Sequence, residues 1–270
     1  MEICEKISKI LSDVKCKKPL VHNITNYVTV NDCANIILAL GASPVMADDI
    51  EEVEEMVSIS SALVINVGTL NYRTIESMIK AGKKANEIGI PVILDPVGIG
   101  TTTLRTKTVE RLINKVKFSV IRGNMSEIKI LAGIDAKIKG VDSEDTTKGA
   151  KKIARELALK LNSVIAITGE KDTISDGNRV CTIENGHKML AEVTGTGCMT
   201  TALIGAFCGV SQDYYLAAVS GIASMGIAGE KAYRSLEENQ GVGTFRVRIF
   251  DNIYNLKDDD FIEGGKIYEC

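Results

Sequence analysis

Five short apolar, β-branched runs, each ending on polar or glycine residues, constrain this chain more than any other feature. They are LVHNI (20–24), ALVINVG (62–68), PVILDPVG (91–98), FSVIRGN (118–124) and SVIAITG (163–169). Helix-period patterns at 26–40, 71–88, 103–116 and 142–160 separate them. Near-continuous hydrophobicity within a strand signals burial on both faces, the habit of a parallel sheet covered by helices. The expected fold class is therefore α/β, with a mostly parallel central sheet covered by helices on both faces. Ligands of such sheets bind outside the carboxyl ends of the strands. Asn23, Gly68, Asp95, Asn124 and the Thr168-Gly169 pair stand at those ends.

Local signals agree with this alternation. Asp142 and Ser143 offer helix caps, Glu144 and Asp145 fall in the first turn, and Lys151, Lys152 and Arg155 follow, as the helix dipole favours. The acidic stretch from Asp48 to Glu55 reads as the solvated start of an amphipathic helix with Ile50, Val53 and Val57 inside, rather than as a metal site. Residues 172–185 read as a hairpin turning at Asp176-Gly177. Two uncharged helices, 197–210 and 213–229, are too apolar for the surface and should lie innermost. The tail from Lys257-Asp258-Asp259-Asp260 onward reads as surface. With no linker, repeat or composition step, residues 1–270 are read as one domain.

Composition narrows the function. Lys plus Arg number 32 against 35 Asp plus Glu, and aromatics make up 4% with no Trp, so a stacking surface for nucleic acid has little to be built from. A hydrophobic content of 45% excludes disorder. Two histidines, His22 and His187, leave no HExxH, and none of the seven cysteines forms a CxxC pair. The N-terminus lacks an apolar signal core. Val193–Gln212 is uncharged, but its glycines and threonines fit a buried helix behind a glycine turn better than a membrane span. The chain reads as soluble and cytoplasmic, with no nucleic acid or membrane as partner.

Two familiar phosphate motifs are absent: GxxxxGK[ST], and the third glycine of GxGxxG. What remains is Val193-Thr194-Gly195-Thr196-Gly197-Cys198, opening the long buried helix. Such a turn points successive N–H groups at one spot, and the helix N-terminus adds its positive end, which suits a phosphate. Cys198 is placed in the first turn, where thiolate is favoured. The plainer alternative is a glycine turn that merely starts a helix, with Cys198 as a small core residue. Asp95 and Glu127 lie at the same sheet edge and could hold Mg²⁺, or serve as a turn acid and as half of a capping box with Asn124. Arg122 meets either a phosphate or a structural ion-pair partner. Thr168-Gly169 gives a hydroxyl and open backbone to a nucleotide or is an ordinary strand exit. Met46 is read as core more readily than as pocket wall, and His22 and His187 as structural. Together these residues are the equipment for phosphoryl transfer without a P-loop.

In order and spacing, VHNITNYV (21–28), ALGASPVMA (39–47), IPVILDPVG (90–98), IRGN (121–124) and VTGTGC (193–198) resemble the hydroxyethylthiazole kinases, from about Pro19 to Phe250. The resemblance implies a ribokinase-like fold, a homotrimer with active sites between neighbouring subunits, and ATP with Mg²⁺ as reaction partners. The implied reaction moves the γ-phosphoryl of ATP to the alcohol of 4-methyl-5-(2-hydroxyethyl)thiazole, a salvage step towards thiamine. Carried over by motif, Arg122 and Thr168 contact ATP, and Met46 and the Gly195 backbone contact the thiazole. Asn26 and Gly68 lie in matching stretches of the thiazole pocket. Asp95 and Glu127 are the Mg²⁺-side carboxylates, and Gly195, Thr196, Gly197 and Cys198 cradle the transferring group. The wider ribokinase-like group usually has an aspartate at the place of Cys198, so the thiol is expected to assist while positioning and the anion hole supply most of the acceleration. Thr196, where alanine is common, is expected to fill space. The rivals are a hydroxymethylpyrimidine kinase, a binding module that kept the fold, and a Cys-nucleophile enzyme with His22 brought near.

Overall fold

Each apolar run becomes a strand because its β-branched side chains have helices to pack against on both sides. A computed structural model of the protein describes residues 3–134 and 146–269. One nine-stranded sheet has the order β2-β1-β3-β4-β5-β6-β7-β8-β9. Its strands are β1 (Leu20–Ile24), β2 (Ser43–Val45), β3 (Ala62–Asn66), β4 (Val92–Asp95), β5 (Val120–Asn124), β6 (Val164–Thr168), β7 (Asp172–Ser175), β8 (Val180–Ile183) and β9 (Ile267–Glu269). Strands β2 to β6 are parallel, and β6 to β9 pair antiparallel. All five runs expected as strands are found, and register sets Asn66 opposite Asp95 and Asn124 opposite Thr168. The polar ends therefore share one edge.

Eleven helices are described: α1 (Ile3–Lys17), α2 (Val30–Leu40), α3 (Val53–Ser58), α4 (Tyr72–Ile88), α5 (Thr103–Lys115), α6 (Met125–Ile134), α7 (Thr146–Leu161), α8 (Thr196–Cys208), α9 (Tyr214–Arg234), α10 (Val242–Tyr254) and α11 (Asp258–Gly264). Two cores result. Leu63, Ile65, Leu94 and Ile165 face α3 to α7, while the alternate residues Val64, Ile93, Val120 and Ala166 face α2, α8 and α9. Helices α8 and α9 are buried almost all round. Glycine makes this possible: a Cβ on Gly205 would come within 2.5 Å of Val64 Cγ2, and one on Gly221 within 2.6 Å of Ile204 Cγ1. The uncharged run is thus the innermost helix layer, and no described helix is long and apolar enough to cross a membrane.

The hairpin turns at Asp176-Gly177, where Asp176 Oδ1 accepts the N–H groups of Asn178 and Arg179 and Gly177 takes φ +94°. The acidic stretch leads into α3 with Val53 and Val57 buried and Ile50 half-buried. Helix α2 starts at Val30, not 26, because residues 25–29 form a loop organised by Asn26. The proposed caps Asp142 and Ser143 and the first-turn acids Glu144 and Asp145 lie outside the described residues. The tail from Lys257 lies at the surface as expected, anchored there by a few contacts. Within α11 Phe261 is fully buried, Asp260 pairs with Lys231 at 2.7 Å, and β9 extends the sheet beside β8. Helix α1, hidden behind its charges, buries Ile7, Leu11 and Val14.

Candidate active site

The glycine turn opens α8 at the ligand edge. Gly195 is its N-cap with φ +91°, a left-handed conformation favouring glycine, and a Cβ there would come within 2.6 Å of Thr29 Cγ2. The Thr196 hydroxyl donates to the carbonyls of Leu190 (3.0 Å) and Val193 (3.3 Å), so it ties the turn together rather than only filling space. A Cβ on Gly197 would lie 2.7 Å from Arg122 Nη1, so glycine lets the guanidinium lie against the first turn of the helix. Arg122, Asn124, Thr168, Thr196 and Gly197 line a cleft of about 890 Å³, to which Leu190, Ile222 and Met225 add apolar surface. An anion there meets a cation and a helix N-terminus together.

Beside the cleft lies a buried polar network. Asp95 has no exposed surface, and its Oδ2 accepts hydrogen bonds from Thr201 Oγ1 (2.8 Å) and Asn66 Nδ2 (3.0 Å). Arg122 Nη1 stands 3.9 Å from that oxygen, while Oδ1 is buried without a partner. Burial pushes the Asp95 carboxyl up to about 6, against the downward pull of Arg122 and Thr201. Asn66 also donates to Cys198 Sγ (3.3 Å) and accepts from Asn26 Nδ2 (3.0 Å) and Gly68 N (2.9 Å). Asn26 donates a second N–H to the same sulfur at 3.3 Å. Arg105 holds the other side of Gly68, donating to its carbonyl at 2.6 Å.

The expected preference of Cys198 for thiolate is not what the fold produces. Burial, and then the nearby Asp95 charge, raise its pKa; the Thr29 hydroxyl and the amides of Asn26 and Asn66 pull it down by less. Desolvation and a like charge outweigh the pull of the helix N-terminus. His22 is fully buried on β1 with Nε2 bonded to the Ala47 carbonyl at 2.7 Å, and His187 stacks on Tyr233 at the cleft wall. The described hydrogen-bond partners of the sulfur are the amides of Asn26 and Asn66 and the Thr29 hydroxyl, and no imidazole is among them.

Glu127 spans two loops: Oε1 accepts Gly98 N and Oε2 accepts Asn124 N, each at 2.8 Å, and Asn124 Oδ1 takes the Glu127 N–H in return. That is the capping box, with the loop after β4 added to it. Among the described residues no group of three or more His, Cys, Asp or Glu could hold a metal. Mg²⁺ needs only one or two carboxylates besides phosphate and water, and the unpartnered buried Oδ1 of Asp95 fits that demand. Thr168 Oγ1 is 3.5 Å from the Gly123 carbonyl and borders the cleft. Met46 lies half-buried at the end of β2, packed on the core and outside this network.

Three participants escaped sequence reasoning. Asn66 looked like the polar end of an apolar run, Thr201 like one more threonine of an uncharged helix, and Asp172 like the start of a hairpin. Asp172 borders the cleft, accepts the Gly169 N–H at 2.9 Å, and is pushed up to about 7 by burial, against Gly169 and Arg122. Its unfolded value is near 3.8, so between those pH values the native state binds more protons and stability falls as pH rises. Asp172→Asn is therefore expected to match the parent protein near pH 4 and to gain on the order of 2–4 kcal/mol by pH 8. Thermal melts across that range check it; a melting-temperature difference that stays constant with pH would show that Asp172 is not held protonated.

Comparison with known proteins places this geometry. Residues 11–259 match the model of the hydroxyethylthiazole kinase family. The hydroxyethylthiazole kinase of Clostridium beijerinckii is 58% identical over 273 residues, covering 99% of both chains. The structure of the hydroxyethylthiazole kinase protein from Pyrococcus horikoshii superposes with a TM-score of 0.90 at 41% identity, over 98% of this chain and 99% of that one. A ribokinase-like superfamily protein of Enterococcus faecalis shares the fold at 12% identity, with a TM-score of 0.63 over 92% of this chain and 89% of its own. The fold is ribokinase-like, and the chain belongs to the hydroxyethylthiazole kinase family.

Proposed function

We propose that this protein transfers the γ-phosphoryl group of ATP to the hydroxyl of 4-methyl-5-(2-hydroxyethyl)thiazole, a salvage step towards thiamine. The observation that carries the reading is the Gly195–Cys198 turn, which opens α8 against Arg122 at the cleft with the Asp95 network directly behind it. Arg122 and Thr168 hold the nucleotide from the cleft side. Gly195, Asn26 and Gly68, with Met46, form the acceptor side. Held between them, the alcohol oxygen and the γ-phosphorus lie in line, and positioning does most of the work. The backbone N–H groups of Thr196, Gly197 and Cys198, with the Arg122 guanidinium, take up the charge of the transferring group. Cys198 accepts the alcohol proton in part. Asp95, with Glu127 behind it, would hold Mg²⁺, which when bound offsets the charge of the phosphate oxygens.

The chain is read as one kinase domain, cytoplasmic, assembled as a homotrimer with the acceptor site at the subunit boundary. Large apolar side chains exposed next to the acceptor residues support that boundary: Tyr27 is 80% and Tyr72 80% exposed. The test is product formation, followed by phosphorus NMR, with Mg²⁺-ATP and hydroxyethylthiazole, hydroxymethylpyrimidine or ribose in parallel. Phosphorylated thiazole alone is expected. Phosphorylated pyrimidine would move the acceptor, and no product from folded protein would leave a binding module.

A further inference from the structure

An asparagine side chain offers two N–H donors and two acceptor lone pairs, and in a protein interior all four rarely find partners. Asn66 uses all four. It is 1% exposed at the end of β3; Nδ2 donates to Asp95 Oδ2 at 3.0 Å and Cys198 Sγ at 3.3 Å, and Oδ1 accepts from Asn26 Nδ2 at 3.0 Å and Gly68 N at 2.9 Å. The amide therefore has one orientation. Flipping it would aim its NH₂ at the donors of Asn26 and Gly68 and its carbonyl at a carboxylate. Asn26 repeats the pattern: Nδ2 serves Asn66 and Cys198, and Oδ1 accepts the N–H and hydroxyl of Thr29. The sulfur of Cys198 thus sits in a fork of two amide N–H groups, each orientation-locked by its neighbour, with the Thr29 hydroxyl beside it.

We propose that Asn66 is a positioning residue for phosphoryl transfer, fixing the Cys198 sulfur and the Asp95 carboxylate against the acceptor-side residues Asn26 and Gly68. This rests on the phosphoryl-transfer reading for its consequence in turnover, although the fork at the sulfur is independent of it. Leucine keeps the branched outline of Asn66, somewhat enlarged, without any polar group, and ionised aspartate matches its shape without a donor. Glutamine is one methylene too long for a fully buried site whose four partners are all fixed.

The experiment compares Asn66→Leu and Asn66→Asp with the parent protein, each also in a Cys198→Ala background. Turnover and both KM values are measured, together with the rate at which iodoacetamide alkylates Cys198 in the protein alone, followed peptide by peptide with the exposed Cys16 as reference. With one donor lost, the thiolate is less stabilised, and alkylation of Cys198 should slow on the order of threefold to tenfold relative to Cys16. The kcat should fall about tenfold or more with the ATP KM within about twofold, since misplacement acts on the transition state. The loss should shrink when Cys198 is already alanine. Unchanged alkylation, with activity kept or with a loss confined to KM or to melting temperature, would overturn the inference. If the parent protein phosphorylates none of the acceptors, the phosphoryl-transfer reading fails on its own. The alkylation rates then decide: slowed alkylation supports the positioning of the sulfur, and unchanged alkylation overturns it.

Discussion

Asp95→Asn is expected to lower kcat/KM on the order of 10³-fold while leaving the protein folded. The two hydrogen bonds that Asp95 receives, from Thr201 and Asn66, fall on the same oxygen, and the other oxygen is unpartnered. An asparagine with its carbonyl at the Oδ2 position keeps both bonds. What is lost is the charge beside Arg122 and the transferring group. Because burial holds the Asp95 carboxyl up to about 6, its ionised form is costly to the fold at neutral pH. The neutral variant should melt at the same temperature as the parent protein or higher at pH 7.5. A phosphorus NMR assay and a thermal melt on the same preparation separate the two effects. Activity within about threefold of the parent would remove Asp95 from the transfer site.

The second large effect is at Cys198. Cys198→Ala is expected to reduce kcat about 100-fold, the lower end for losing a proton acceptor. Cys198→Asp is expected to retain or exceed the parent activity. The reason is physical: the thiol is buried beside Asp95 and its pKa is raised, so little thiolate is present at neutral pH. A carboxylate in the same fork of Asn26 and Asn66 amides ionises far more readily. Steady-state rates of the three proteins at one pH are enough. If the aspartate variant falls below the alanine variant, Cys198 is not a proton acceptor, and the two amides serve only to place the sulfur.

Much of the fold was legible because the signals that specify it are local. The runs at 20–24, 62–68, 91–98, 118–124 and 163–169 are near-continuously apolar up to their polar ends, and only a sheet covered on both faces buries both sides of such a strand. The glycine turn and the uncharged helix behind it read correctly for the same reason, since no surface would tolerate α8. The docking of the chain ends did not read. In α1 the charges equal the buried residues in number and in α11 they outnumber the single buried one, and what decides their place is docking against α9 and each other, contacts remote in sequence. Strand β2, three residues long with Pro44 in its middle, carries too little pattern to show itself.

For the site, the division follows the range of the interactions. Sequence placed Asp95, Asn124, Arg122 and Thr168 at strand ends, because register in a parallel sheet brings those ends to one edge. It placed Gly195 to Cys198 at a helix start, because glycines and the lack of charge say so locally. It could not show that Asn66 ties Asp95, Cys198, Asn26 and Gly68 together, since those partners are 29, 132, 40 and 2 residues away. Nor could it give the pKa direction of Cys198. A helix N-terminus is a local property and favours thiolate; burial and a neighbouring carboxylate belong to the folded chain and oppose it. The residues present and the edge they share were set by sequence alone, whereas the charge state and orientation of each were decided by desolvation and by hydrogen bonds that exist only after the strands and α8 have packed.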